Sequence, residues 1–95
     1  MFKIENCSDE RYAILRLSGR IGSEHLEELK AQIGSARRRP TVLDLEELKL
    51  VDRDVVHFLG VCESKGIELR NCAPYIREWI FRERARDRER AGPSI

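Results

Sequence analysis

The sequence predicts a small α/β domain, and three observations support that class. Near the N-terminus, apolar and polar residues alternate over two short segments, which is the period of a half-buried strand. Three later segments repeat their apolar residues every three or four positions, the period of a helix packed on one side. Short apolar runs separate these helices, so the strands are expected to join one sheet in parallel through right-handed crossovers. The predicted fold is a small mixed β-sheet. Its first two strands form a β-hairpin, and the second of them also begins a βαβαβα series.

Residues 1–6 and 11–19 form the predicted antiparallel hairpin. The sequence "CSDE" supplies the turn between the two strands, and Gly19 is expected to close the second one. The residues that alternate onto one face of each strand are Phe2, Ile4, Ala13, Leu15 and Leu17.

The first helix is predicted within "GSEHLEELKAQIGSARRRP", residues 22–40, where Leu26, Leu29 and Ile33 recur at helical spacing. Ser23 is placed to cap its start, and Gly34 is expected to end it. The run Arg37, Arg38 and Arg39 is interpreted as a solvated linker before Pro40, with a phosphate-binding patch as the alternative.

"TVLDLEEL", residues 41–48, is predicted to be one short buried strand, and "GIELRN", residues 66–71, another. Between them a second helix is expected to end at Lys65 and Gly66. Its apolar stripe consists of Val55, Val56, Phe58, Leu59 and Cys62.

The third helix is predicted to begin near Pro74, because the first turn tolerates a missing backbone donor. The first half of this helix is expected to pack on the core through Ile76, Trp79 and Ile80. Residues 82–95 are predicted to be a charged, Arg-rich extension that buries nothing beyond Phe81. Pairs at helical spacing are expected to hold this extension, namely Glu78 with Arg82, Glu83 with Arg86, and Asp87 with Arg90.

Composition limits the classes of function. The chain has 95 residues and a formal net charge of +1, so any attraction to nucleic acid or an anionic membrane must be local. It contains no apolar run long enough to span a bilayer and no secretory signal, so a cytoplasmic location is expected. Three widely spaced cysteines, Cys7, Cys62 and Cys72, predict reduced thiols. They are not spaced as zinc ligands, and no metal or cofactor is expected.

The stretch "LVDRDVVHFLG", residues 50–60, contains the candidate site. Asp52 at the helix cap and Asp54 in the first turn both suit the positive end of the helix dipole, which explains both acids as structural. The alternative is a protein-docking patch formed by Asp52, Arg53, Asp54 and His57. Catalysis is not expected, because neither a nucleophile nor a Gly-rich phosphate loop accompanies these side chains.

Three segments, "LSGRIG", "VLDLEELKLVDRDVVHFLG" and "KGIELRNCAPYIREWI", resemble the STAS domain family of bacterial anti-sigma factor antagonists and sulphate-transporter domains. The resemblance covers roughly residues 2–81, within a predicted STAS-like domain of residues 1–81. It implies helices mainly on one face of the sheet, protein binding and no catalysis. It also makes Asp54 equivalent to the serine or threonine that a partner kinase phosphorylates in some members. That hydroxyl is absent here, Val55 replaces the usual next glycine, and Gly22 replaces an aspartate.

The function expected from this resemblance is a non-enzymatic regulatory or adaptor protein that binds an anti-sigma factor or similar partner. It could not be switched by serine phosphorylation. A STAS subunit of a membrane transporter complex is the alternative. Nucleic-acid binding through the Arg-rich tail is disfavoured, because acids interleave with its arginines. A homodimer formed through Trp79, Phe81 or the tail is a further possibility.

Overall fold

The computed structural model of the chain describes residues 2–35 and 39–90, and side chains as far as residue 86. The elements in chain order are β1 (Phe2–Asn6), β2 (Ala13–Ile21), a 3-10 helix (Ser23–His25), α1 (Leu26–Ser35), β3 (Thr41–Asp44), β4 (Leu48–Val51), α2 (Arg53–Ser64), β5 (Glu68–Arg70) and α3 (Pro74–Arg90). Two residues of the predicted linker, Arg37 and Arg38, lie outside the described residues. The same is true of residues 91–95 of the predicted tail.

The strands form one mixed sheet, which confirms the predicted α/β class. β1 pairs antiparallel with β2, and β3 and β5 continue the sheet in parallel in the order β1, β2, β3, β5. β4 pairs in parallel with the second half of β2. β3 and β4 therefore lie one after the other along the length of β2.

The prediction of a single strand over residues 41–48 is wrong, because a turn separates β3, which ends at Asp44, from β4, which begins at Leu48. The Asp44 carboxylate accepts the Glu46 N–H at 3.1 Å, and Leu48 N–H donates to the Leu45 carbonyl at 3.1 Å. These local bonds interrupt the strand before β4 begins. The sheet therefore has five strands among the described residues, one more than the sequence predicts.

The boundaries of two other elements also differ from the prediction. β2 does not close at Gly19. Its pairing with β4 shifts register after Gly19, where φ is +86°, and the strand continues to Ile21. Ser23 does not cap α1 but begins the preceding 3-10 helix, and α1 passes through Gly34 to Ser35.

One apolar core joins the sheet to all three helices. Leu15, Leu17 and Leu43 of the sheet are buried in it, which confirms the inward face predicted for β2. The helices contribute Leu29, Val55, Val56, Leu59, Cys62, Ile76 and Ile80. The helices thus cover the face of the sheet on which the leucines lie. None of the described helices is both long and apolar enough to cross a membrane.

The sheet positions beside these leucines carry a charged pair. Asp44 is 6% exposed, and its Oδ2 lies 3.6 Å from Arg16 Nη2. Desolvation acts to raise the pKa of Asp44. Hydrogen bonds from Glu46 N–H and Asn71 Nδ2, together with the Arg16 charge, outweigh it and hold this pKa below the ordinary value of 3.8. Asp44 therefore stays ionised although it is buried.

β4 is joined to α3 through Tyr75. Among the described strands β4 pairs with β2 alone, so its other edge has no strand partner. The Tyr75 hydroxyl, from the first turn of α3, donates to the Lys49 carbonyl of β4 at 2.7 Å. Leu50, the next residue, is 49% exposed.

Candidate functional site

Asp52 joins two helix starts. Its backbone is extended, with φ −100° and ψ 179°, and its Oδ1 accepts the Val55 N–H at 3.0 Å, which confirms the predicted cap of α2. The other oxygen, Oδ2, accepts the Ser23 N–H at 2.7 Å across 29 residues of sequence. The half-buried carboxylate therefore fixes the 3-10 helix against α2.

Asp54 lies in the first turn of α2 with its side chain exposed. Its carboxylate stands at the positive end of the helix dipole, where a negative charge is favourable. The position that the STAS resemblance makes equivalent to the phosphoacceptor is thus an accessible acid at a helix start.

Arg53 ties α2 to α3. Its Nε donates to Glu83 Oε1 at 3.1 Å. Glu83 is only 7% exposed, so the prediction that α3 buries nothing beyond Phe81 is wrong. The predicted partner of Glu83 was Arg86, but its ion pair is with Arg53, because α3 continues across α2. No sequence pattern links two residues 30 positions apart, which is why sequence reasoning missed this pair.

His57, one turn beyond Arg53, is exposed and lies between two depressions of the surface. One is a hollow of about 220 Å³ between α2 and α3, lined also by Gly60 and Glu83. The other is a larger groove between α1 and α2, and Asp54 lines it as well. The structure therefore brings Asp54 and His57 together along one groove. Asp52 and Arg53 link the start of α2 to the 3-10 helix and to α3.

The seam between α2 and α3 is held by further ion pairs. Glu63 accepts Arg77 Nη1 at 2.6 Å and Arg84 Nη1 at 3.4 Å. The predicted pair between Glu78 and Arg82 is confirmed at 2.8 Å. Asp87 and Arg90 lie beyond the described side chains.

Trp79 is partly buried against the core, as predicted, and Ile76 and Ile80 beside it are fully buried. Phe81 points the other way and is 72% exposed. The homodimer alternative would therefore rest on Phe81 rather than on the Trp79 indole.

The reactive side chains are dispersed. No group of three His, Cys, Asp or Glu residues in the described part of the chain could hold a metal ion. Burial raises the pKa of the Cys62 thiol to about 11, and burial also raises the pKa of Cys72. A raised thiol pKa suppresses the nucleophilic thiolate, whereas Cys7 is exposed.

Comparison of the chain with protein-family models gives no match, and comparison with curated proteins gives no relative.

Proposed function

We propose that this chain is a non-enzymatic regulatory or adaptor domain that binds a protein partner at the start of α2. The proposed relatives are STAS-type anti-sigma factor antagonists, and the proposed place of action is the cytoplasm. One observation carries the proposal: Asp54 is an exposed acid on the first turn of a helix whose start Asp52 holds rigidly.

Asp54 supplies the charge that a phosphate would bring to the same turn, but it supplies it permanently. A surface that carries a fixed charge offers one binding state instead of two. Asp54, together with Arg53 and His57 on the same helix, forms the proposed docking patch. Asp52 supports that patch by fixing the backbone beneath it.

Partner capture from the native host tests the patch. Wild type is compared with Asp54→Arg and Asp54→Ser, and with Glu28→Arg as a matched control, because Glu28 is an exposed acid in the first turn of α1. We expect Asp54→Arg to lose a partner that wild type and Glu28→Arg retain. Equal recovery by all the variants would leave Asp54 only its helix-start role. Phosphate found on residues 52–57 after incubation with ATP and host lysate would contradict the fixed charge state.

The identity of the captured partner separates this function from the second candidate. A kinase-type anti-sigma factor is expected for the antagonist, and a permease for the transporter subunit. Nucleic-acid binding has less support, because Arg82 and Arg84 are paired with Glu78 and Glu63. Such pairing weakens the field that a phosphate backbone would meet.

A further inference from the structure

The groove between α1 and α2 has an apolar floor. Five half-buried side chains contribute to it, two from α1, two from α2 and one from the segment before β5, namely Leu26, Ile33, Phe58, Val61 and Ile67. The groove encloses about 960 Å³, more than four times the volume of the hollow between α2 and α3.

Cationic side chains predominate around this floor. Lys30 and Lys65 are exposed on its α1 and α2 sides, and Arg39 lies at one end, where its Nη1 donates to the Asp9 carbonyl at 2.6 Å. Lys30 Nζ is 5.8 Å from the centre of the Phe58 ring, so its ammonium lies over the floor. Asp54 is the acidic side chain of the lining.

We propose that this groove binds an acidic amphipathic helix of the protein partner, an inference that rests on the proposed protein-binding function. A helix suits the site because its two walls, α1 and α2, are helices that present side chains to a ligand. The apolar face of the bound helix would cover Phe58 and its neighbours. Its acidic flanks would face Lys30 and Lys65, and charge complementarity of this kind sets partner choice.

The position of Asp54 gives the bound helix a direction. Asp54 lies at the N-terminal end of α2, and Lys65 follows the last residue of that helix, so the groove is acidic at one end and basic at the other. A guest helix with its acids concentrated in one half would place that half beside Lys65 and keep it away from Asp54.

The test uses two synthetic helical peptides of about four turns that share the same leucine positions. One carries glutamates on its polar face and the other carries lysines. Binding to the full chain is measured by fluorescence anisotropy at fixed ionic strength. The groove variant is Lys30→Glu with Lys65→Glu. The matched control is Lys3→Glu with Lys49→Glu, which makes the same charge change on exposed strand positions outside the groove.

We expect the glutamate peptide to bind wild type and the control variant, and to bind the groove variant about tenfold more weakly. The lysine peptide should bind the groove variant better than it binds wild type. Equal affinity of wild type for both peptides, or no loss in the groove variant, would overturn the proposal. Laurate is included as a probe. If it displaced the peptide while the charge reversals had no effect, the groove would be an acyl-chain site and the proposal would fail.

The outcomes separate this proposal from the docking patch. If Asp54→Arg abolishes partner capture while the peptide shows no preference for the groove, the patch stands and the groove proposal fails. If the peptide binds as expected while Asp54→Arg captures every partner, the groove stands and the patch fails. Circular dichroism of each variant confirms that the chain has folded.

Discussion

Removal of the Asp52 carboxylate should destabilise the chain far more than removal of Asp54. Asp52→Ala deletes an N-cap, worth about 0.5–2 kcal/mol, and a second hydrogen bond to a charged acceptor at Ser23 N–H, worth about 1.5–3 kcal/mol. Because the carboxylate is half-buried, we take the lower end of both ranges and expect a loss of about 2 kcal/mol. For a domain of this size that loss lowers Tm by about 8–16 °C.

Two further variants bracket this prediction. Asp52→Asn keeps one oxygen acceptor but turns its amide towards the other N–H, so it should lose about half as much. Asp54→Ala removes only an exposed charge near the helix dipole, worth about 0.3–1 kcal/mol.

Urea unfolding followed by circular dichroism measures all three free energies, provided that the slope against urea is unchanged. The reasoning would be refuted if Asp52→Ala cost less than about 1 kcal/mol, or if Asp54→Ala cost as much as Asp52→Ala. Either result would mean that the two bonds of Asp52 do not hold the start of α2.

Four other outcomes are expected. Because the pKa of Asp44 is lower in the folded chain, its ionised form stabilises the fold above pH 3.8. The difference in unfolding free energy between wild type and Asp44→Asn should therefore shrink as the pH falls below that value. A difference that widened would contradict this. At pH 8 a thiol reagent should modify Cys7 rapidly and Cys62 hardly at all, since about one in a thousand Cys62 thiols is ionised there. Rapid loss of the Cys62 thiol in the folded chain would be inconsistent with its burial. Gly34→Ala should raise the free energy of unfolding by about 1 kcal/mol, because the added methyl group meets no atom within 4 Å and alanine favours the helix. A lower urea midpoint for the variant would count against this prediction. If a homodimer forms through Phe81, light scattering should show a dimer for wild type that Phe81→Glu converts to a monomer, and equal masses would exclude Phe81 as a dimer contact.

The sequence predicted the larger features of the fold because they follow from periodicity. Alternation placed Leu15 and Leu17 on the core face of β2, and helical spacing placed Ile76 and Ile80 at the contact of α3. The caps of α2 were predictable for the same kind of reason, since Asp52 and Gly66 are residue types suited to those backbone positions.

The features missed at the candidate site depend on contacts that a local pattern does not contain. The turn after Asp44 is made by local bonds, but it was hidden because leucines on both sides of it enter the same core. The second bond of Asp52 depends on Ser23, which only the folded chain brings near, and the burial of Glu83 depends on Arg53 in the same way. The groove between α1 and α2 was missed because the spacing of two helices is a tertiary property.

The hydroxyl of Tyr75 has a consequence for the behaviour of the chain at high concentration. An open strand edge offers carbonyl groups on which another molecule can extend the sheet, and that is a common route to fibrils. The Tyr75 hydroxyl bonds the first turn of α3 to Lys49 of β4, and the following residue, Leu50, is exposed. We therefore expect loss of this bond to loosen α3 from β4 and to make the strand more accessible, so that Tyr75→Phe would fold normally and yet aggregate sooner on prolonged storage.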